Sequence, residues 1–196
     1  MVSACASAAL IQNGNFENGI NPNTLKPAGS TDITGWVVLP ANVDWVAGVG
    51  TAIPITGTNG SLFIDLNGSD AGGIQQAFAT TPGQLYTVTF DMNANTNTGS
   101  SKSLQVGAGG TSAAYTFVPQ GATDPNWKQQ LFQFGASSST TTLAFVSLTT
   151  GTNAGPLIDN VIVTAATPEP TTSWPLLSFS VLAGYTIRRR PKGNKP

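Results

Sequence analysis

The chain has 196 residues, of which only 9% are charged, with 22 glycines, one cysteine and no histidine. Its formal net charge of −1 divides unevenly: ahead of Thr167, three lysines (Lys26, Lys102, Lys128) stand against Glu17 and seven aspartates, a net of −5, while the remainder carries five basic residues against Glu169, a net of +4. An acidic body without a basic patch excludes nucleic acid, whose affinity rests on Lys and Arg against phosphate. The absence of histidine and a lone Cys5 exclude Ser-His-Asp and Cys-His catalysis, His-ligated zinc and an intrachain disulfide.

Residues 1–9 are small and largely apolar, and Ala6-Ser7-Ala8 has the form of a signal-peptidase site, so this segment reads as the remnant of a signal peptide with a truncated start. Cys5 also loosely fits a lipoprotein box. A body of residues 10–166 follows, large enough for one core. Leu10 to Phe16 reads as the first strand, followed by a polar loop as far as Asp32, then by strands over Ile33 to Leu39 and Asn42 to Val46. Ser61 to Leu66 alternates Leu62, Ile64 and Leu66 against Phe63 and Asp65, the period of a strand with one buried face.

Gly73 to Ala79 and Gln84 to Asn93 flank Thr81-Pro82-Gly83 and read as a hairpin, as do Ser103 to Ala108 and Ser112 to Val118 about Gly109-Gly110. Trp127 to Gly135, Thr140 to Thr149 and Leu157 to Thr164 complete a set of about nine or ten short strands with no crossover helices. The expected fold is all-β: a two-sheet antiparallel jelly-roll sandwich.

The tail, residues 167–196, places Pro168-Glu169-Pro170 before an apolar run from Ser173 to Ile187 and then Arg188-Arg189-Arg190. Fifteen helical residues span roughly 22 Å, short of the ~30 Å hydrocarbon core, so this is a short transmembrane helix aided by snorkelling arginines. Positive charge after the helix favours cytoplasmic retention and places the body across the membrane. The order of these three parts resembles the PEP-CTERM sorting signal of bacterial exported proteins. That resemblance implies processing by an exosortase and delivery to the cell surface or extracellular matrix.

The body has its own resemblance. Leu10-Ile11-Gln12-Asn13-Gly14-Asn15-Phe16-Glu17, Thr34-Gly35-Trp36, Asn42-Val43-Asp44-Trp45, Ile64-Asp65-Leu66-Asn67-Gly68, Thr81-Pro82-Gly83-Gln84-Leu85-Tyr86-Thr87-Val88 and Leu157-Ile158-Asp159-Asn160-Val161 resemble the choice-of-anchor C family. That family is similar to plant cell-wall proteins with a domain of unknown function and, more distantly, to galactose-binding-like carbohydrate modules. In such modules a structural calcium joins the acid after the first strand to one in the last. The resemblance implies Glu17 and Asp159 as its ligands, and calcium needs only hard oxygens of this kind.

For a sugar ligand, Trp45 and Trp127, flanked by polar residues, are the candidate stacking surfaces, whereas Trp36 reads as core. A glycosidase needs two carboxyl groups, and Asp44, Asp65, Asp91 and Asp159 lie on strands or their ends, yet acids in a β protein of this composition mostly serve turns and solvation. The expected function is therefore a non-enzymatic, exported cell-surface or matrix protein binding polysaccharide. The alternative is a structural or adhesion protein that binds proteins instead.

Overall fold

A computed structural model describes residues 10–48, 53, 55–95, 100–120 and 125–166. The body is an antiparallel sandwich of two sheets. Its strands are β1 (Thr24–Pro27), β2 (Val37–Leu39), β3 (Asn42–Ala47), β4 (Leu62–Asp65), β5 (Gly73–Ala79), β6 (Leu85–Ala94), β7 (Lys102–Ala108), β8 (Thr111–Phe117), β9 (Lys128–Gly135), β10 (Thr140–Ser147) and β11 (Pro156–Ala165). One sheet is six-stranded, in the order β1-β3-β4-β11-β6-β9, and the other five-stranded, β2-β5-β10-β7-β8. This is the jelly-roll sandwich expected from the strand pattern.

The core lies between the sheets. Alternate residues of β6 (Tyr86, Val88, Phe90, Met92) face Val106, Leu143 and Phe145 of the opposite sheet, as a period of two requires. Gly109 and Gly110 close the β7–β8 hairpin, both at positive φ (59° and 79°), which is why two glycines suffice for so tight a turn.

Three expectations are corrected. Residues 10–16 are not a strand but a series of turns. Asn13 and Phe16 take positive φ (53° and 55°), and Phe16 donates its amide to the Asn13 carbonyl. Asn tolerates that region through its short polar side chain. Phe16 is held there by its surroundings: its ring is buried against Trp36, 5.3 Å away between centroids, and its carbonyl accepts the Trp45 indole N–H at 3.0 Å.

The first strand is instead β1, inside the segment read as loop. Nor do β5 and β6 form a hairpin. Ala79 pairs with Thr140 of β10 while Leu85 pairs with Gly135 of β9, so Thr81-Pro82-Gly83 carries the chain from one sheet to the other.

The third correction concerns β4, which is buried on both faces. Leu62 and Ile64 enter the main core, whereas Phe63 joins Val46, Ile53, Ile55 and Leu157 in a second apolar cluster on the outer face of the six-stranded sheet. The tail from Thr167, with its sorting motif, apolar run and arginines, lies outside the described residues, as do residues 1–9. Among the described residues no helix is long and apolar enough to cross a membrane.

Candidate functional site

The outer face of the six-stranded sheet gathers the carboxylates. Across it Asp44 pairs with Asp65, Asp65 with Leu157 and Leu157 with Asn93, and in the adjoining rung Asp159 pairs with Asp91. Their neighbours Trp45, Ile64, Ile158 and Met92 point the other way, into the core. A bulge in β11 between Asp159 and Ile162, with Asn160 at φ 51°, lets Asp159 face outward while Val161 returns to the core.

Two acids of this region hold one loop. Asp159 Oδ2 accepts the amides of Thr58 (2.6 Å) and Asn59 (3.2 Å) and the Thr58 hydroxyl (3.1 Å), while its Oδ1 accepts the Asn160 amide (2.6 Å). Glu17 Oε1 accepts the amides of Ser61 (2.7 Å) and Leu62 (2.6 Å). Asp91 joins them by accepting from the Thr58 hydroxyl at 2.7 Å and from the Asn160 side-chain amide at 3.1 Å.

Glycine is required between these anchors. A Cβ on Gly60 would collide with the Glu17 carboxyl group, and one on Gly57 would lie 2.9 Å from Asp159 Oδ2. Burial raises the Asp159 pKa, and the donated amides pull it back. N–H groups directed at carboxylate oxygens present positive dipole ends, which a cation would have to displace. The donor set at Glu17 and Asp159 therefore suits an anion-capped loop and does not fit a calcium ion shared between them.

Asp65 occupies a second, fully buried setting at one end of β4. Its Oδ1 accepts the amides of Asn67 (2.9 Å) and Gly155 (3.1 Å), and its Oδ2 accepts Asn95 Nδ2 at 2.8 Å. Burial is the largest influence and pushes its pKa up to about 7 despite these bonds, and the Asp44 charge adds to the rise. Lys102, 1% exposed, is held below the usual lysine range by burial and partly restored by the Asp65 charge. Asn67 donates to the carbonyls of Thr149 and Thr152, leaving its Oδ1, like that of Asn95, buried without a partner. Such oxygens are ordinarily met by buried water.

Asp44 differs from all of these. It is half-buried, burial alone raises its pKa, and no hydrogen bond among the described residues reaches its carboxylate. It lines a groove of about 370 Å³ with Asn23, Thr24, Leu25, Trp45, Val46 and Ile53. Leu25 is 45% exposed and offers the groove an apolar wall. Asn23 accepts the Ala47 amide through Oδ1 at 2.6 Å and donates its own amide to no described residue. The groove is thus open and partly apolar, and among its described residues the Asp44 carboxylate is the unpaired acceptor.

The tryptophans fall differently from expectation. Trp45 is 1% exposed, with its ring in the core and its indole N–H bound to Phe16, so it offers no stacking face. The flanking polar residues Asp44 and Asn42 belong to the opposite face of the same strand. Trp127 is half-buried; its ring meets Phe63 edge-on at 5.5 Å and its N–H donates to the Thr56 carbonyl at 2.9 Å, which closes the outer cluster. Trp36 is core, as expected, and donates to the Asn13 carbonyl at 3.0 Å.

A family model described as "Protein of unknown function (DUF642)" matches residues 9–164. The chain belongs to the DUF642 family. This DUF642 chain is 33% identical over 187 residues to halomucin of Haloquadratum walsbyi, an alignment that covers 89% of the chain and 2% of halomucin.

Among solved structures, the DUF642 chain superposes on TmCBM61 in complex with beta-1,4-galactotriose with a TM-score of 0.52 and 16% identity, covering 82% of this chain and 100% of the other. It also superposes on the enzymatically active domain of tailspike protein 4 from bacteriophage CBA120, with a TM-score of 0.50 and 16% identity, over 81% of this chain and 21% of that one. At these identities the likeness is one of fold.

Sequence reasoning placed Asp44 among the strand carboxylates but missed the groove, because Asn23, Thr24 and Leu25 lie in a segment that reads as polar loop. An isolated leucine there was the available signal.

Proposed function

We propose that residues 10–166 form a non-catalytic module that binds polysaccharide, within an exported cell-surface or matrix protein of the narrower choice-of-anchor C type. The groove between β1 and β3 carries this reading: a partly apolar wall beside unpaired polar groups is what a sugar ring, with its apolar face and hydroxyl rim, requires. The shared fold with a galactotriose-bound module supports it.

Hydrolysis is disfavoured by the state of the acids. Asp44 is the carboxylate in the groove; its cross-strand partner Asp65 is buried, and Asp91, Asp159 and Glu17 are occupied with a loop. Among the described residues that line the groove, a two-carboxylate mechanism then lacks a second member.

The test is retention on a glycan array by the full chain and by Leu25→Ser, which alters an exposed side chain. Retention lost in Leu25→Ser with an unchanged melting temperature supports the groove. If the unaltered chain retains no glycan, the reading falls. A second reading, adhesion to protein, draws on Leu131 and Ile162 (57% and 45% exposed), which flank Thr89 on the outer face of β9, β6 and β11.

Export and sorting rest on the order of the tail: Pro168, Glu169 and Pro170, then the apolar run, then Arg188, Arg189 and Arg190. In this reading an exosortase-type enzyme processes the chain after the helix has held it in the membrane. Deleting Ser173 to Pro196 should release the body to the medium, and serine at the three arginines should weaken retention. Membrane fractionation reads both, and unchanged fractions would remove the anchor role.

A further inference from the structure

The groove's charge sets which polysaccharide it can take. Among the described residues the cations are Lys26, Lys102 and Lys128. Lys26 is 2% exposed and spends its ammonium on Asp32 (2.8 Å) and on the carbonyls of Ile20 and Asn21. Lys102 is buried, and Lys128, on the far edge strand β9, lies over the Phe117 ring at 5.0 Å. None of them lines the groove.

Among the described residues, then, no counter-ion stands beside Asp44, and the next charge across the strand, Asp65, has the same sign. A uronate or sulfate group would meet this carboxylate with no described cation to offset the repulsion. A neutral N-acetyl group would leave the charge unanswered. A protonated amine would both neutralise it and donate hydrogen bonds to the carboxylate oxygens.

We propose that the groove between β1 and β3 selects polysaccharides bearing free amino groups, with Asp44 as the counter-charge, over N-acetylated and anionic ones. This rests on the module reading above and names its substrate class. Leu25 supplies the apolar contact for the ring, and Asn23 and Thr24 flank it with polar groups.

The experiment compares retention of the full chain by a β-1,4-linked glucosamine oligomer, its fully N-acetylated counterpart, polygalacturonate and oligolysine, with and without Asp44→Asn. The free-amine oligomer should be held roughly five- to tenfold more tightly than the acetylated one at low salt, the scale of one partly screened charge pair. That preference should shrink as salt rises from ~0.05 to ~0.5 M.

Asp44→Asn should erase the preference while leaving weak retention of the acetylated oligomer. The comparison on the unaltered chain needs no variant, so a poorly folded Asp44→Asn does not obscure it. Equal retention of the two oligomers, or a preference that survives Asp44→Asn, overturns the inference and leaves the module reading standing. Asp44-dependent binding of oligolysine as tight as that of the amino sugar also overturns it, since the ligand would then be a basic peptide. Retention of no glycan at all overturns the module reading itself.

Discussion

Glu17, just after the first turns of the body, and Asp159, in its last strand, grip one loop from its two sides: Glu17 takes the amides of Ser61 and Leu62, Asp159 those of Thr58 and Asn59. Residues far apart in the chain are joined through backbone donors. Asp159→Ala should destabilise the domain by about 2–4 kcal/mol, because several partly buried donors lose a charged acceptor at once. Thermal melts with calcium and with chelator should show the same loss. A loss present only with calcium would restore the ion.

Gly60 and Gly83 separate a collision from plain backbone strain. Both have positive φ (116° and 81°), but a Cβ on Gly60 would strike the Glu17 carboxyl group whereas one on Gly83 meets nothing within 4 Å. Gly83→Ala should cost about 1 kcal/mol. Gly60→Ala should cost about 2 kcal/mol or more, since strain and loss of the Glu17 grip add. Urea midpoints of the two variants measure the difference, and equal midpoints would mean that Glu17 does not hold the loop.

Asp65 makes stability depend on pH. With a folded pKa of about 7 against 3.8 in the unfolded chain, the folded form binds the proton more tightly. Its contribution is whole below pH about 4 and is lost as pH rises through 7, at up to ~1.4 kcal/mol per pH unit inside that window. Asp44 and Asp159 shift in the same direction. Stability should therefore fall between about pH 4 and 7. Asp65→Asn should flatten that fall in denaturant titrations, and an unchanged slope would remove Asp65 as its source.

Trp45 and Trp127 should respond differently to truncation. Trp45→Ala empties a core site and should cost about 3–5 kcal/mol. Trp127→Ala, at a half-buried ring closing the cluster of Phe63 and Ile55, should cost about 1–3 kcal/mol. Calorimetric melts rank the two. Equal losses would mean that the outer cluster contributes as much as the core.

The sequence by itself determined the class of fold and the strands from Asn42 onward, nearly to the residue, because alternation and turn residues are local signals. It also determined the Gly109-Gly110 hairpin, where two positive φ values admit little else. Strand partners were left to tertiary structure. Thr81-Pro82-Gly83 is compatible with either a hairpin or a crossing between sheets, and the choice lies with β10 and β9, through the pairs Ala79 with Thr140 and Leu85 with Gly135.

Residues 10–16 show the same limit. Their apolar and polar residues permit a strand, but Phe16 is pinned in a turn by Trp36 and Trp45, contacts that no local pattern contains. The fate of each acid was likewise decided by what packs above it. Asp44, Asp65, Asp91 and Asp159 are chemically alike in the sequence. A loop claims Asp91 and Asp159, burial among amides claims Asp65, and Asp44 faces a groove because β1 ends the sheet beside it.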